Sequence, residues 1–230
     1  MKTHRGHRKL VKHDDAPGEA HELTFSCYRR LQLLRFDSRC ELLAESVDAA
    51  MSRHGYELLA YAFMPEHVHL LVLPAEALGD KHPVAPLPDR REALADELPV
   101  APVPDIREAL GDKHPVAPGG ISKLLYAIKR PFSFRIKQTM AADGDPMLDV
   151  LTIRDRPGST SFRFWQEGPG YDRNIRKKST MRLVIDYIHL NPVRRGLVDH
   201  PSKWPWSSWR HYEEEDLENA PTPPRIAVWI

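Results

Sequence analysis

The stretch 56–74, YELLAYAFMPEHVHLLVLP, decides the fold. Two apolar runs of strand length, Tyr56–Met64 (YELLAYAFM) and His67–Leu73 (HVHLLVL), flank a tight Pro65-Glu66 connection. Side chains at i and i+2 of a strand share a face. His67 and His69 therefore project together, while Val68 points the opposite way into a surface that reads as buried.

Working outward, Gly55 closes a helix that Asp37 or Ser38 can cap and that runs to about His54, with Leu42, Leu43, Val47, Ala50 and Met51 on one face. Before it, His21–Arg30 (HELTFSCYRR) alternates at Leu23, Phe25 and Cys27, a strand signature. Downstream, Ile121–Ala142 reads as a basic helix that Pro131 bends or splits, with Leu124, Leu125 and Ile128 facing the core. Residues 143–161 read as loop. Phe162–Gln166 and Tyr171–Ile175 are short extended pieces around the turn at Gly168-Pro169-Gly170. Ser179 can cap a last helix, Thr180–Leu190. The first six elements give an α+β, ferredoxin-like βαββαβ order, with a C-terminal helix added. Such a sheet packs helices on one face and leaves the other for a ligand.

The chain has 230 residues, 41% hydrophobic and 28% charged, ordinary values for a globular protein. No apolar run reaches about 18 residues and the basic N-terminus lacks an apolar h-region, so neither a membrane span nor a signal peptide is expected. The two cysteines, Cys27 and Cys40, form no metal knuckle and no disulfide framework, which points to a reducing, cytoplasmic setting.

The net charge of +1 is unevenly spread: residues 76–118 and 211–230 each carry −4, leaving +9 on the rest. That balance suits a polyanion such as nucleic acid, and equally a merely solubilising surface. EALGDKHPVAP occurs at 76–86 and again at 108–118, with EALADELPVAP at 92–102, a 16-residue period. This Pro-rich array has no sustained apolar periodicity, so it reads as an insertion with little capacity to bury surface. The organisation expected is a basic arm at 1–20, one domain at 21–210 interrupted by 76–118, and an acidic tail at 211–230.

Two convergent imidazoles can hold a divalent cation if a third ligand and open positions complete the shell. Read alone, the His67/His69 pair is a weak signal that also describes a solvated sheet face. Tyr187 lies about 100° from the centre of the Met181, Val184, Ile185, Ile188 stripe, on the margin of the buried face, where a packing role is the simpler reading. Asn191 follows by four residues and looks the same way if the last turn persists, although Pro192 disfavours helix there. Lys123, Lys129, Arg130, Arg135 and Lys137 can line a phosphate groove or form a solvated face, and Lys2, Arg5, Arg8, Lys9 and Lys12 could also reach phosphates. Trp204, Trp206 and Trp209 read as core anchors.

YAFMPEHVHLLVLP resembles the HUH strand of single-tyrosine transposases. FWQEGPGYDRNIRKKSTMRLVIDYIHLNPVRRGLVDHPSKWPWSSW is similar to the C-terminal half of REP-associated tyrosine transposases. The resemblance covers roughly residues 20–75 and 121–210 and does not include the 76–118 insertion. It implies an HUH domain in which His67, His69 and Asn191 hold Mg²⁺ or Mn²⁺ and Tyr187 is the nucleophile. It further implies a single-stranded DNA endonuclease and strand transferase, working through a 5′-phosphotyrosine on hairpin-forming palindromic repeats. The protein would be a nucleoid-associated monomer or homodimer. A DNA-binding protein of the same lineage that no longer cleaves, and an unrelated metal hydrolase using water, are the competing readings.

Overall fold

The computed structural model describes residues 18–77, 120–168, 170–213 and 224–227. Most of the repeat insertion, the N-terminal arm through residue 17 and most of the acidic tail lie outside the described residues. The core elements are β1 (Ala20–Ser26), α1 (Asp37–His54), β2 (Tyr56–Met64), β3 (His67–Pro74), α2 (Ile121–Ala142), β6 (Tyr171–Ile175) and α4 (Lys178–Arg194). Between α2 and β6 come α3 (Met147–Leu151) and a hairpin of β4 (Thr152–Arg156) and β5 (Ser159–Phe162); α5 (Trp209–Glu213) follows α4.

The main sheet runs β2-β3-β1-β6, every neighbour antiparallel. This is the ferredoxin-like order, with the sequential hairpin β2–β3 beside a central β1. Alternation along β3 divides the core. Val68, Leu70 and Val72 pack with α1 and α2 on one face. On the other, Leu71 and Leu73 join Met181, Val184, Ile185 and Ile188 of α4. The second face is thus left open only in part, beside β1 and β6. Helix α4 lies over β2 and part of β3, because its apolar stripe needs a surface to bury.

The first strand ends at Ser26, with a tight turn at Tyr28–Arg30, and Phe162–Gln166 is strand only at Phe162 with an isolated bridge at Trp165; four further details depart from the sequence reading. First, α2 continues through Pro131 as one helix. The ring removes one backbone bond, but Leu124, Leu125 and Ile128 before it and Phe132, Ile136 and Met140 after it bury one shared face, which outweighs the loss. Second, residues 143–161 are loop only at 143–146 and at the 157–158 turn; the rest forms α3, β4 and most of β5. Third, neither Asp37 nor Ser179 caps its helix; the N-cap positions are Phe36 and Lys177, with no side-chain cap bond. The Asp37 carboxylate instead accepts the Trp206 indole N–H at 2.7 Å. Fourth, α4 continues past Pro192 to Arg194. Gly55 does close α1, in the left-handed region at φ 66°.

The segment after α4 covers the β2 edge of the sheet. Phe63 N–H donates to the Trp206 carbonyl at 2.9 Å, Ser208 N–H to Tyr61 at 3.1 Å, and the Trp204 indole to the Phe63 carbonyl at 3.1 Å. Trp204 and Trp206 are anchors, as their type suggested, and they occupy an edge that would otherwise be free to pair with another strand. Among the described residues, no helix is long and apolar enough to cross a membrane.

Candidate metal and nucleophile site

His67 and His69 sit on the β3 face turned toward α4, both nearly buried. Their Nε2 atoms approach to 2.9 Å, with the rings edge to face. Burial holds both imidazoles below their ordinary pKa; for His69, burial first and then the neighbouring His67 push it down to about 3. Both rings are therefore neutral at pH 7, and a neutral imidazole carries the lone pair a cation needs.

The other ring nitrogens select which atom carries that lone pair. His69 Nδ1 lies 3.0 Å from Thr24 Oγ1, and Thr24 is its cross-strand partner on β1. His67 Nδ1 lies 3.2 Å from the Glu66 carboxylate, off the line of a good N–H···O bond, so the contact is chiefly electrostatic. A carboxylate favours the proton on the nitrogen facing it, which leaves Nε2 of His67 as the ligating atom. Glu66 also pairs with Arg195 at 2.5 Å, tying the β2–β3 turn to the C-terminal end of α4.

The pair fits an octahedral cation. With bonds of about 2.1 Å, two adjacent ligands of an octahedron stand about 3.0 Å apart, close to the 2.9 Å observed. Among the described residues no third His, Cys, Asp or Glu completes a cluster. Any further ligands of a cation held here would have to be oxygens from an amide, water or substrate.

Tyr187 stands opposite. Its ring meets His69 edge to face at 5.9 Å and is 39% exposed. The Arg194 guanidinium lies 5.3 Å from the same ring. The structure therefore brings Tyr187 and the histidine pair together across 118 residues of sequence. Asn191 is buried one turn beyond, and its Nδ2 donates to the Tyr187 carbonyl at 3.0 Å. A carbonyl partner requires the NH₂ end of the amide, so Oδ1 is the atom available for a cation.

The basic residues of α2 are placed differently. This helix packs on the Val68 face, so all five cations lie across the sheet from the histidines. Lys123, Arg130 and Lys137 are exposed. Lys129 instead lies 4.6 Å from the Phe25 ring, and burial pushes its ammonium down to about 8. Arg135 is tied to Glu45 at 2.8 Å. Helical spacing located these charges but could not tell which of them a neighbouring element covers.

Thr24, Glu66, Arg194 and Arg195 escaped the sequence reading. Glu66 was visible only as a turn residue, and Arg194 and Arg195 only as basic residues after a proline. Thr24 lies on the same strand face as Ser26, but its register against His69 depends on a pairing 45 residues apart.

No family model matches this chain, and no curated protein matches it. Among solved structures it is similar to that of a REP-associated tyrosine transposase bound to a REP hairpin, at 20% identity and a TM-score of 0.48, with 100% of this chain and 92% of that chain covered.

Proposed function

We propose that this chain is a metal-dependent endonuclease and strand transferase for single-stranded DNA, of the HUH tyrosine transposase type. The observation that supports it most directly is the facing of two neutral imidazole Nε2 atoms, 2.9 Å apart, by the edge of a half-exposed tyrosine ring. A phenol is a poor nucleophile at neutral pH, so its target must be made electrophilic. His67, His69 and the Asn191 Oδ1 would hold Mg²⁺ or Mn²⁺, and that ion would polarise the scissile phosphate and offset charge on its oxygens.

The protein's own residues do the rest. Tyr187 Oη attacks the phosphorus, forming a Tyr–O–P bond as the P–O3′ bond breaks. The DNA 5′ end remains as a phosphotyrosine, and the 3′ oxygen leaves as a hydroxyl. The phenolic proton departs to solvent on the exposed side, balancing the proton gained by the 3′ oxygen. Because the phosphodiester is exchanged rather than hydrolysed, a 3′-hydroxyl can reverse the step and rejoin strands without ATP. Arg194 adds positive charge beside the attacking ring. A hairpin-forming repeat with a single-stranded flank is the substrate proposed.

Covalent capture tests this. Labelled single-stranded hairpin DNA is incubated with the protein and Mn²⁺, then denatured. A labelled adduct that disappears in Tyr187→Phe is the expected result. Binding with neither adduct nor cleavage would assign a non-cleaving DNA-binding protein, and cleavage surviving Tyr187→Phe would assign a water-using hydrolase.

A further inference from the structure

Helix α4 covers β2 and part of β3, and the β1–β6 side of the same sheet face carries a cleft of about 220 Å³. Its walls include Thr24, Ser26, Arg30, Gln166 and Tyr171. Register ties this cleft to the histidines. Thr24 pairs with His69 on one side and with Tyr171 on the other, and Ser26 pairs with His67. Directly paired residues share a sheet face, so His69, Thr24 and Tyr171 form one transverse row. Two strand spacings put Tyr171 about 10 Å from His69 across the sheet.

Two residues of the cleft make no side-chain hydrogen bond or ion pair among the described residues, although the Arg30 charge does act on His67. Tyr171 is 51% exposed at the start of β6. Arg30 is exposed and, among the described residues, takes part in no ion pair or side-chain hydrogen bond. Its backbone is in the left-handed region at φ 54°, directly after Arg29 at φ 51°. Two consecutive non-glycine residues in that region are costly and persist where surrounding structure enforces them. Here Tyr28 N–H bonds Phe164 O at 2.7 Å, Arg29 N–H bonds Gln166 Oε1 at 3.1 Å, and Arg30 N–H bonds Cys27 O at 3.0 Å. The turn thereby holds an unpaired guanidinium over the cleft.

The geometry points to a nucleotide-binding subsite: Arg30 takes a backbone phosphate of single-stranded DNA and Tyr171 stacks its base, next to the phosphate presented to Tyr187. The cleft is smaller than the roughly 300–1,000 Å³ of drug-sized sites, a size that suits one unpaired nucleotide. This deepens the function proposed above and rests on it, but it concerns binding and not strand cleavage.

The test therefore uses the full chain carrying Tyr187→Phe, with a fluorescein-labelled oligodeoxythymidylate as probe. Arg30→Gln is expected to weaken binding about tenfold and to lower the magnitude of the salt slope by about 0.7, one phosphate contact on a single strand. Tyr171→Ala is expected to weaken binding about tenfold with the salt slope unchanged, and Tyr171→Phe to restore it. With 5-iododeoxyuridine placed at each position in turn, ultraviolet cross-linking should join Tyr171 to one nucleotide adjoining the cleavage position. Unchanged affinity and salt slope in Arg30→Gln, or cross-links that avoid Tyr171, would overturn the subsite while leaving the proposed function standing. Failure of the parent protein to bind the probe would likewise overturn the subsite, whereas the proposed function stands or falls on covalent capture of hairpin DNA.

Discussion

Glu66 is the strongest handle on how the candidate metal site is built. Its carboxylate is 8% exposed and serves two partners, His67 Nδ1 at 3.2 Å and Arg195 at 2.5 Å. Glu66→Gln keeps the volume and removes the charge. Breaking a fully buried ion pair costs about 3–5 kcal/mol. Arg195 is 52% exposed and can turn to solvent, so the loss here should be smaller, about 1–2 kcal/mol. For a chain of this size that lowers Tm by about 2–8 °C. The larger effect falls on the cation. Without a carboxylate at Nδ1, His67 is no longer biased toward presenting its Nε2 lone pair, and Mn²⁺ affinity should fall about 10–100-fold. Arg195→Ala provides the contrast: it removes the ion pair but leaves Glu66 on His67, so Tm should fall similarly while Mn²⁺ affinity changes by less than about threefold. Thermal unfolding and Mn²⁺ titration by electron paramagnetic resonance measure the two quantities. Parent-like Mn²⁺ binding by Glu66→Gln, or an equal loss of metal affinity in both variants, would refute this role for Glu66.

Other perturbations test the frame around the site. A Cβ on Gly170 would run into the Thr24 carbonyl at φ +81°, so Gly170→Ala should cost at least about 2 kcal/mol and speed amide exchange along Tyr171–Ile175; unaltered exchange there would contradict the close β1–β6 approach. Arg30→Gly relieves a left-handed backbone, a gain of about 1–2 kcal/mol less about 0.5–1 kcal/mol of added chain entropy, so Tm should rise slightly; a drop would show that the turn is not strained. Lys129 falls from 10.5 to about 8 by burial. Between those values the unfolded chain holds the proton and the folded chain does not, so stability should rise with pH across that window. Lys129→Met should flatten the rise and leave the salt dependence of DNA binding intact, and a lower salt slope would instead make Lys129 a phosphate contact.

Much of this was written in local pattern. The alternation of HVHLLVL put both imidazoles on one face and Val68 in the core, and the Met181–Ile188 stripe left Tyr187 at a margin. What escaped depended on partners distant in the chain. The β4–β5 hairpin was missed because TIRDR and STSF lie half-buried to exposed, with no apolar alternation to mark them. Asp37 suggested a cap, but an indole 169 residues away claims its carboxylate. Helix α4 had an obvious apolar stripe, but the sequence did not say which surface would receive it. Pro131 and Pro192 were weighed by local cost alone, and packing on both sides outweighed that cost.

The sheet places its two sets of cations and ligands back to back: exposed Lys123, Arg130 and Lys137 on one side, His67 and His69 on the other. The β2 border is occupied by the Trp204–Ser208 segment, so of the two borders of the described sheet the β6 border is the one a strand engaging both sides could turn around. Substrate length then becomes an experimental dial. A short oligonucleotide would sample the histidine side alone, whereas a longer one adds the far-side cations to its grip. Trimming DNA should therefore erode affinity and salt sensitivity in steps while leaving the rate of a saturated reaction nearly constant.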